Sequence, residues 1–123
     1  MNVILWVLQI VLALMFAAAG IMKAAQPKEK LAHMLPWVED SSPMTVRFIG
    51  VVELLGAVGL ILPAALGITP LLTPLAATGL AAVMGLAALT HFRRREPGSI
   101  TFNAALFLVA AFIAWGRFGP YSF

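Results

Sequence analysis

Residues Val3–Met22 form a long apolar run with no charged side chain, about the 20 residues that a helix needs to cross the hydrocarbon core of a bilayer. Three more apolar segments follow, at Met44–Leu62, Pro70–Phe92 and Ile100–Arg117. With short connections they consume nearly all of the 123 residues, so one domain spanning residues 1–123 is expected. Charged residues make up only 11% of the chain and hydrophobic ones 62%. A water-soluble body of this size could not bury that much apolar surface. Continuous runs also disfavour a membrane β-barrel, whose strands alternate apolar and polar residues. The expected fold is all-α, a transmembrane four-helix bundle.

End signals frame the segments. Ser41-Ser42-Pro43 offers a hydroxyl cap followed by a proline in the first turn, where its missing N–H does no harm. Thr69-Pro70 and Thr73-Pro74 offer the same chemistry ahead of the third helix, and Pro63 is expected to stop the second. Arg93–Gly98 reads as a charged turn, with Ser99 able to cap the fourth helix. In the longest connection, Pro27–Val38 has the pattern of a short interfacial helix: Leu31, Met34, Leu35 and Val38 share one side, and Trp37 suits the headgroup level. It could act as a lid or simply anchor. The first run lacks the basic residues that precede the apolar core of a signal peptide, so its retention as a helix is expected.

Orientation is set by the basic residues. Lys23, Lys28, Lys30, Arg47, Arg93, Arg94 and Arg95 fall on one face and Arg117 alone on the other, a split of seven against one. Such a bias marks the cytoplasmic side. It places both termini outside and the basic loops in the cytoplasm, in what reads as a bacterial inner (plasma) membrane. A net charge of +3 is thus a topology signal, and no nucleic-acid partner is expected. The absence of cysteine excludes disulfides, thiolate zinc, iron–sulfur clusters and cysteine redox chemistry.

Ionisable groups inside spanning segments are costly and are functional candidates by default. Glu53 lies six residues past Arg47, about 9 Å deeper along a helix. Gly50, Gly56 and Ala57 share its side, and small residues mark close helix contacts in membranes, so Glu53 is expected to face the bundle. Gly56 and Gly59 in the second helix, with Ala81 and Gly85 in the third, are the expected points of close approach. Lys23 ends the first helix beside Ala19 and Gly20, His91 lies beside Ala87 and Ala88, and Asn103 lies one turn into the fourth helix. Connectivity brings all four to the cytoplasmic side, where Lys23, Glu53, His91 and Asn103 can form one polar pocket. Gln9 lies near the opposite face. Each has a structural alternative: Lys23 snorkels with Glu53 as counter-ion, His91 sits at the interface, and Asn103 joins helices by a hydrogen bond. His33 falls in the solvated connection. One histidine in the bundle offers no second ligand, so no metal or haem site is expected.

The chain resembles the DoxX-like family of small four-helix membrane proteins. The resemblance rests on Gly20-Ile21-Met22-Lys23 followed by Pro27-Lys28-Glu29-Lys30-Leu31, on Val52-Glu53-Leu54-Leu55-Gly56-Ala57-Val58-Gly59-Leu60-Ile61-Leu62-Pro63, and on His91 near the end of the third helix. The family takes its name from a subunit linked to thiosulfate:quinone oxidoreduction, and a distant eukaryotic branch resembles assembly chaperones for receptor channels. The resemblance implies a site at Lys23, Glu53 and His91. The leading expectation is an accessory or binding subunit whose pocket takes a quinone, a lipid or a similar amphiphile, with a membrane-protein partner or a second copy as possible company. A quinone-linked oxidoreductase subunit is the alternative. A small proton-coupled exporter or assembly factor is a third class, although such exporters usually carry a weak charge bias and their Glu in the first helix.

Overall fold

The computed structural model describes residues 1–25, 42–69 and 71–122. Four helices follow one another: α1 (Asn2–Ala25), α2 (Pro43–Leu66), α3 (Leu72–Arg93) and α4 (Pro97–Phe118). Each is long and apolar enough to cross a membrane, and no strand occurs among the described residues. The interfacial helix expected at 27–38, with His33 and Trp37, lies outside the described residues, as does Pro70.

The helices run up and down in sequence. Antiparallel neighbours meet where Gly20 of α1 faces Gly50 of α2, Gly56 of α2 faces Leu80 of α3, and Gly116 of α4 faces Leu5 of α1. Among these neighbouring pairs contact is broadest for α1/α2 and α3/α4, intermediate for α2/α3, and narrowest for α1/α4. Polarity is distributed as a bilayer demands. Large apolar side chains such as Val3, Leu14, Leu55, Phe92 and Leu108 are exposed, while Gln9, Glu53, Thr73, Asn103 and Arg117 are buried. In water this pattern would be costly on both counts; in lipid the exposed chains meet their own kind and the polar groups find partners inside. The chain is an integral membrane protein.

Several ends differ from the sequence expectation. Ser42 does cap α2, its Oγ accepting from the Thr45 N–H at 3.1 Å, with Pro43 in the first turn. Pro63, however, lies inside α2 and does not stop it. A proline in a helix leaves the carbonyl four residues earlier without its donor. That carbonyl belongs to Gly59, and the Thr73 hydroxyl of α3 donates to it at 3.2 Å. Thr73 is therefore engaged with α2 and caps nothing; α3 begins after Leu71 without a side-chain cap. The real stop of α2 is Gly67 at φ 69°. Its N–H donates to Ala64 O, and the Ile68 N–H to Pro63 O at 2.8 Å, which closes the helix in the left-handed turn that glycine adopts without strain.

The α3–α4 turn uses the same closure with an unusual residue. Arg95 takes φ 58°, while Arg95 N–H donates to Phe92 O and Glu96 N–H to His91 O at 2.9 Å. α4 then starts at Pro97, with Glu96 before it. Ser99 is not its cap, because the helix has already begun two residues earlier. Nor does the Glu96 carboxylate cap it; both His91 and Arg94 hold that group.

Candidate functional site

Close packing near the basic loops begins with two glycines. A methyl group on Gly20 would stand 2.6 Å from Gly50 O and 2.8 Å from Leu54 N; one on Gly50 would stand 2.7 Å from both Ala24 N and Gly20 O. The α1 and α2 backbones therefore touch, as small residues permit in membranes. Three residues past each glycine lie Lys23 and Glu53. On antiparallel helices these steps lead to opposite sides of the crossing, and the long Lys23 side chain, its Cβ against Gly50, spans it so that Nζ donates to Glu53 Oε1 at 2.6 Å. Glu53 is only 1% exposed. Gly56 and Gly59 are also points of close approach, to Leu80 and Ala76 of α3, whereas nothing comes nearer than 3.9 Å to a methyl placed on Gly85. The expected tight crossing at Gly85 is absent because Phe107, a long side chain, already fills the distance to α4.

The Lys23–Glu53 pair lies in the wall of a cavity of about 570 Å³ that occupies the basic half of the bundle and draws on all four helices. Its volume falls in the range of roughly 300–1,000 Å³ usual for small-molecule pockets. Phe16, Met84, Phe102 and Leu106 are among the apolar residues that line it. Lys23, Glu53, His91 and Asn103, the four residues singled out from sequence, all line it. They do not form one hydrogen-bonded cluster. His91 Nδ1 contacts Glu96 Oε1 at 2.8 Å. The expected interhelical hydrogen bond of Asn103 is not made among the described residues; the residue is buried and contributes to the cavity wall.

Glu96 is the residue that sequence reasoning missed. It reads as part of a charged turn, yet the closure at Arg95 folds it back over His91, joined by both a backbone and a side-chain bond. The histidine five residues before a glutamate, across a helix stop, was the available signal. The hydrogen bond from His91 holds the Glu96 carboxyl below its ordinary value, Arg94 assists at 3.3 Å, and burial opposes them. Glu96 is thus a carboxylate at neutral pH and can only accept, so the proton between the two groups belongs to His91 Nδ1.

At the other end of the bundle Gln9 joins a separate polar cluster. Its Nε2 donates to Leu60 O at 2.7 Å, and its Oε1 accepts from Arg117 Nε at 2.7 Å. Arg117 also donates to Asn2 Oδ1 at 2.6 Å and to Tyr121 O at 2.9 Å, and its guanidinium lies 5.7 Å from the Trp6 ring centre. Arg117, counted from sequence as a lone basic residue of that face, is 2% exposed and ties α4 to α1. No group of three potential metal ligands occurs among the described residues.

The cavity therefore combines an apolar wall, a neutralised ion pair, a histidine of fixed tautomer and an amide with no partner among the described residues. No curated protein matches the chain, and no solved structure does. The model of the DoxX-like family matches residues 7–113.

Proposed function

The chain belongs to the DoxX-like family, and on that premise we propose that it is an accessory or binding subunit whose basic-side cavity holds a quinone, a lipid or a similar amphiphile. The observation that carries this reading is a largely apolar cavity of about 570 Å³ whose wall brings together Lys23, Glu53, His91 and an Asn103 amide that makes no hydrogen bond among the described residues. An amide that faces a cavity offers a ligand head both a donor and an acceptor. The membrane is the inner membrane of a bacterium, with the cavity toward the cytoplasm and both termini outside. The seven-to-one distribution of Lys and Arg supports this orientation.

The test is native purification of the wild type and of Glu53→Gln, with mass spectrometry of the lipids, quinones and proteins retained. Glutamine is nearly isosteric and still hydrogen-bonds, so the variant folds and loses the retained amphiphile. A folded Glu53→Gln protein that keeps its full complement makes the carboxylate structural and overturns the proposal. A reporter fused after Phe123 tests the orientation, and activity in the cytoplasm reverses it.

A further inference from the structure

The His91–Glu96 contact is built more firmly than an incidental ion pair. Arg95, at φ 58°, takes a left-handed conformation that is unfavourable for a non-glycine residue. It is stabilised by the bonds from Arg95 N to Phe92 O and from Glu96 N to His91 O. The same turn delivers the Glu96 carboxylate to Nδ1. With Nδ1 carrying the proton, Nε2 is an acceptor whenever the ring is uncharged, and it makes no hydrogen bond among the described residues. His91 and Glu96 both line the cavity, as does Asn103 on the neighbouring helix.

Charge narrows what the cavity can hold. Lys23 is set against Glu53 at 2.6 Å, and Arg94 against Glu96 at 3.3 Å. Among the described residues each carboxylate of the cavity wall, Glu53 and Glu96, is thus met by a cation, Lys23 from the wall and Arg94 from beside it, which favours a head without net charge. A neutral head finds an acceptor at His91 and both a donor and an acceptor at Asn103. We infer that the cavity selects an uncharged amphiphile whose head carries a hydroxyl donor, with its O–H given to His91 Nε2, its oxygen accepting from the Asn103 amide, and Glu96 acting as the positioning residue that fixes the histidine tautomer. This inference rests on the ligand-binding reading of the cavity and adds the class of ligand and a role for Glu96.

Two probes isolate the hydroxyl: 4-octylphenol and its methyl ether, which keeps the shape and loses the donor. Each is titrated calorimetrically into the full chain in phospholipid nanodiscs, with empty nanodiscs as the reference. The phenol binds about tenfold more tightly than the ether, the usual scale of one hydrogen bond in a pocket. His91→Ala and Glu96→Ala abolish that preference while ether binding persists, which also shows that both variants are folded. In a His33→Asn background, nitrogen-15 NMR of the remaining histidine reads a ring protonated at Nδ1, and Glu96→Ala moves the proton toward Nε2. An unchanged ring in Glu96→Ala overturns the role of Glu96. Equal binding of the two probes, both lost when Ala87→Phe or Ala19→Phe fills the cavity, overturns the hydroxyl preference and leaves the ligand-binding reading intact. Binding of neither probe, or binding indifferent to both filling variants, overturns the ligand-binding reading and this inference together.

Discussion

Replacing Gly50 by alanine adds one methyl group at the place where α1 and α2 touch. That methyl would stand 2.7 Å from Ala24 N, 2.7 Å from Gly20 O and 2.8 Å from Lys23 Cβ, where ordinary contact begins at 3.4 Å. Two of these three neighbours are backbone atoms and cannot rotate away. The helices must part by roughly 1 Å, and a gap of that size forfeits a quarter to a half of the dispersion attraction across the crossing. Overpacking costs about 1–3 kcal/mol, and the loss of glycine's backbone freedom returns roughly 0.5–1 kcal/mol. Parting the helices also stretches the Lys23–Glu53 bond, which lies one turn away at 2.6 Å. The net expectation is destabilisation by about 1–2 kcal/mol, with a similar loss for Gly20→Ala, whose methyl meets Gly50 O at 2.6 Å. Gly79→Ala is the control: nothing lies within 4 Å of the added methyl, so it should be neutral or slightly stabilising, by up to about 1 kcal/mol. Reversible unfolding in mixed micelles of rising SDS fraction measures all three. If Gly50→Ala unfolds within about 0.5 kcal/mol of Gly79→Ala, the backbone contact is not what holds α1 to α2 and the reasoning fails; that margin is the usual scatter of exposed substitutions.

The buried pair should behave asymmetrically. Lys23→Met strands the Glu53 carboxylate and costs about 3–5 kcal/mol, and adding Glu53→Gln recovers most of it; a double variant no more stable than Lys23→Met refutes the pairing. At the opposite end, Arg117→Leu leaves Gln9 Oε1, Asn2 Oδ1 and Tyr121 O without their donor, a loss of about 2–4 kcal/mol by the same unfolding assay. Adding Gln9→Leu should return part of that loss, and strict additivity would show that the two side chains act separately. The turn carries a pH signature. The folded Glu96 carboxyl titrates below its ordinary 4.5, so its contribution is complete above that value and disappears only as pH falls through the lowered one. Amide exchange at Arg95 and Glu96 should stay protected at pH 4.5 and open below it, whereas opening on the alkaline side of that value would contradict the His91–Glu96 contact.

The number of spans, their antiparallel order and the inward face of Glu53 are properties of the sequence alone. An apolar run long enough to cross hydrocarbon has nowhere else to go, and a carboxylate flanked at helical spacing by Gly50 and Ala57 has only one face with room for a neighbour. Ser42 before Pro43 is equally local, since a cap bonds within its own first turn. The convergence of Lys23, Glu53, His91 and Asn103 on one half of the bundle is likewise a matter of connectivity, because alternate helix ends share a face. The bonding partner of each polar group is not, because it is fixed by which helices abut and at what height. Pro63 could remain within α2 because Thr73 of α3 supplies a donor to Gly59 O. Gln9 and Arg117 are 108 residues apart and meet only because α1 packs on α4. Glu96 reaches His91 because Arg95 adopts a left-handed turn that no glycine announced. Asn103 remains without a partner among the described residues because the space opposite it is cavity, and empty volume between four helices is a property of their packing that no single segment encodes.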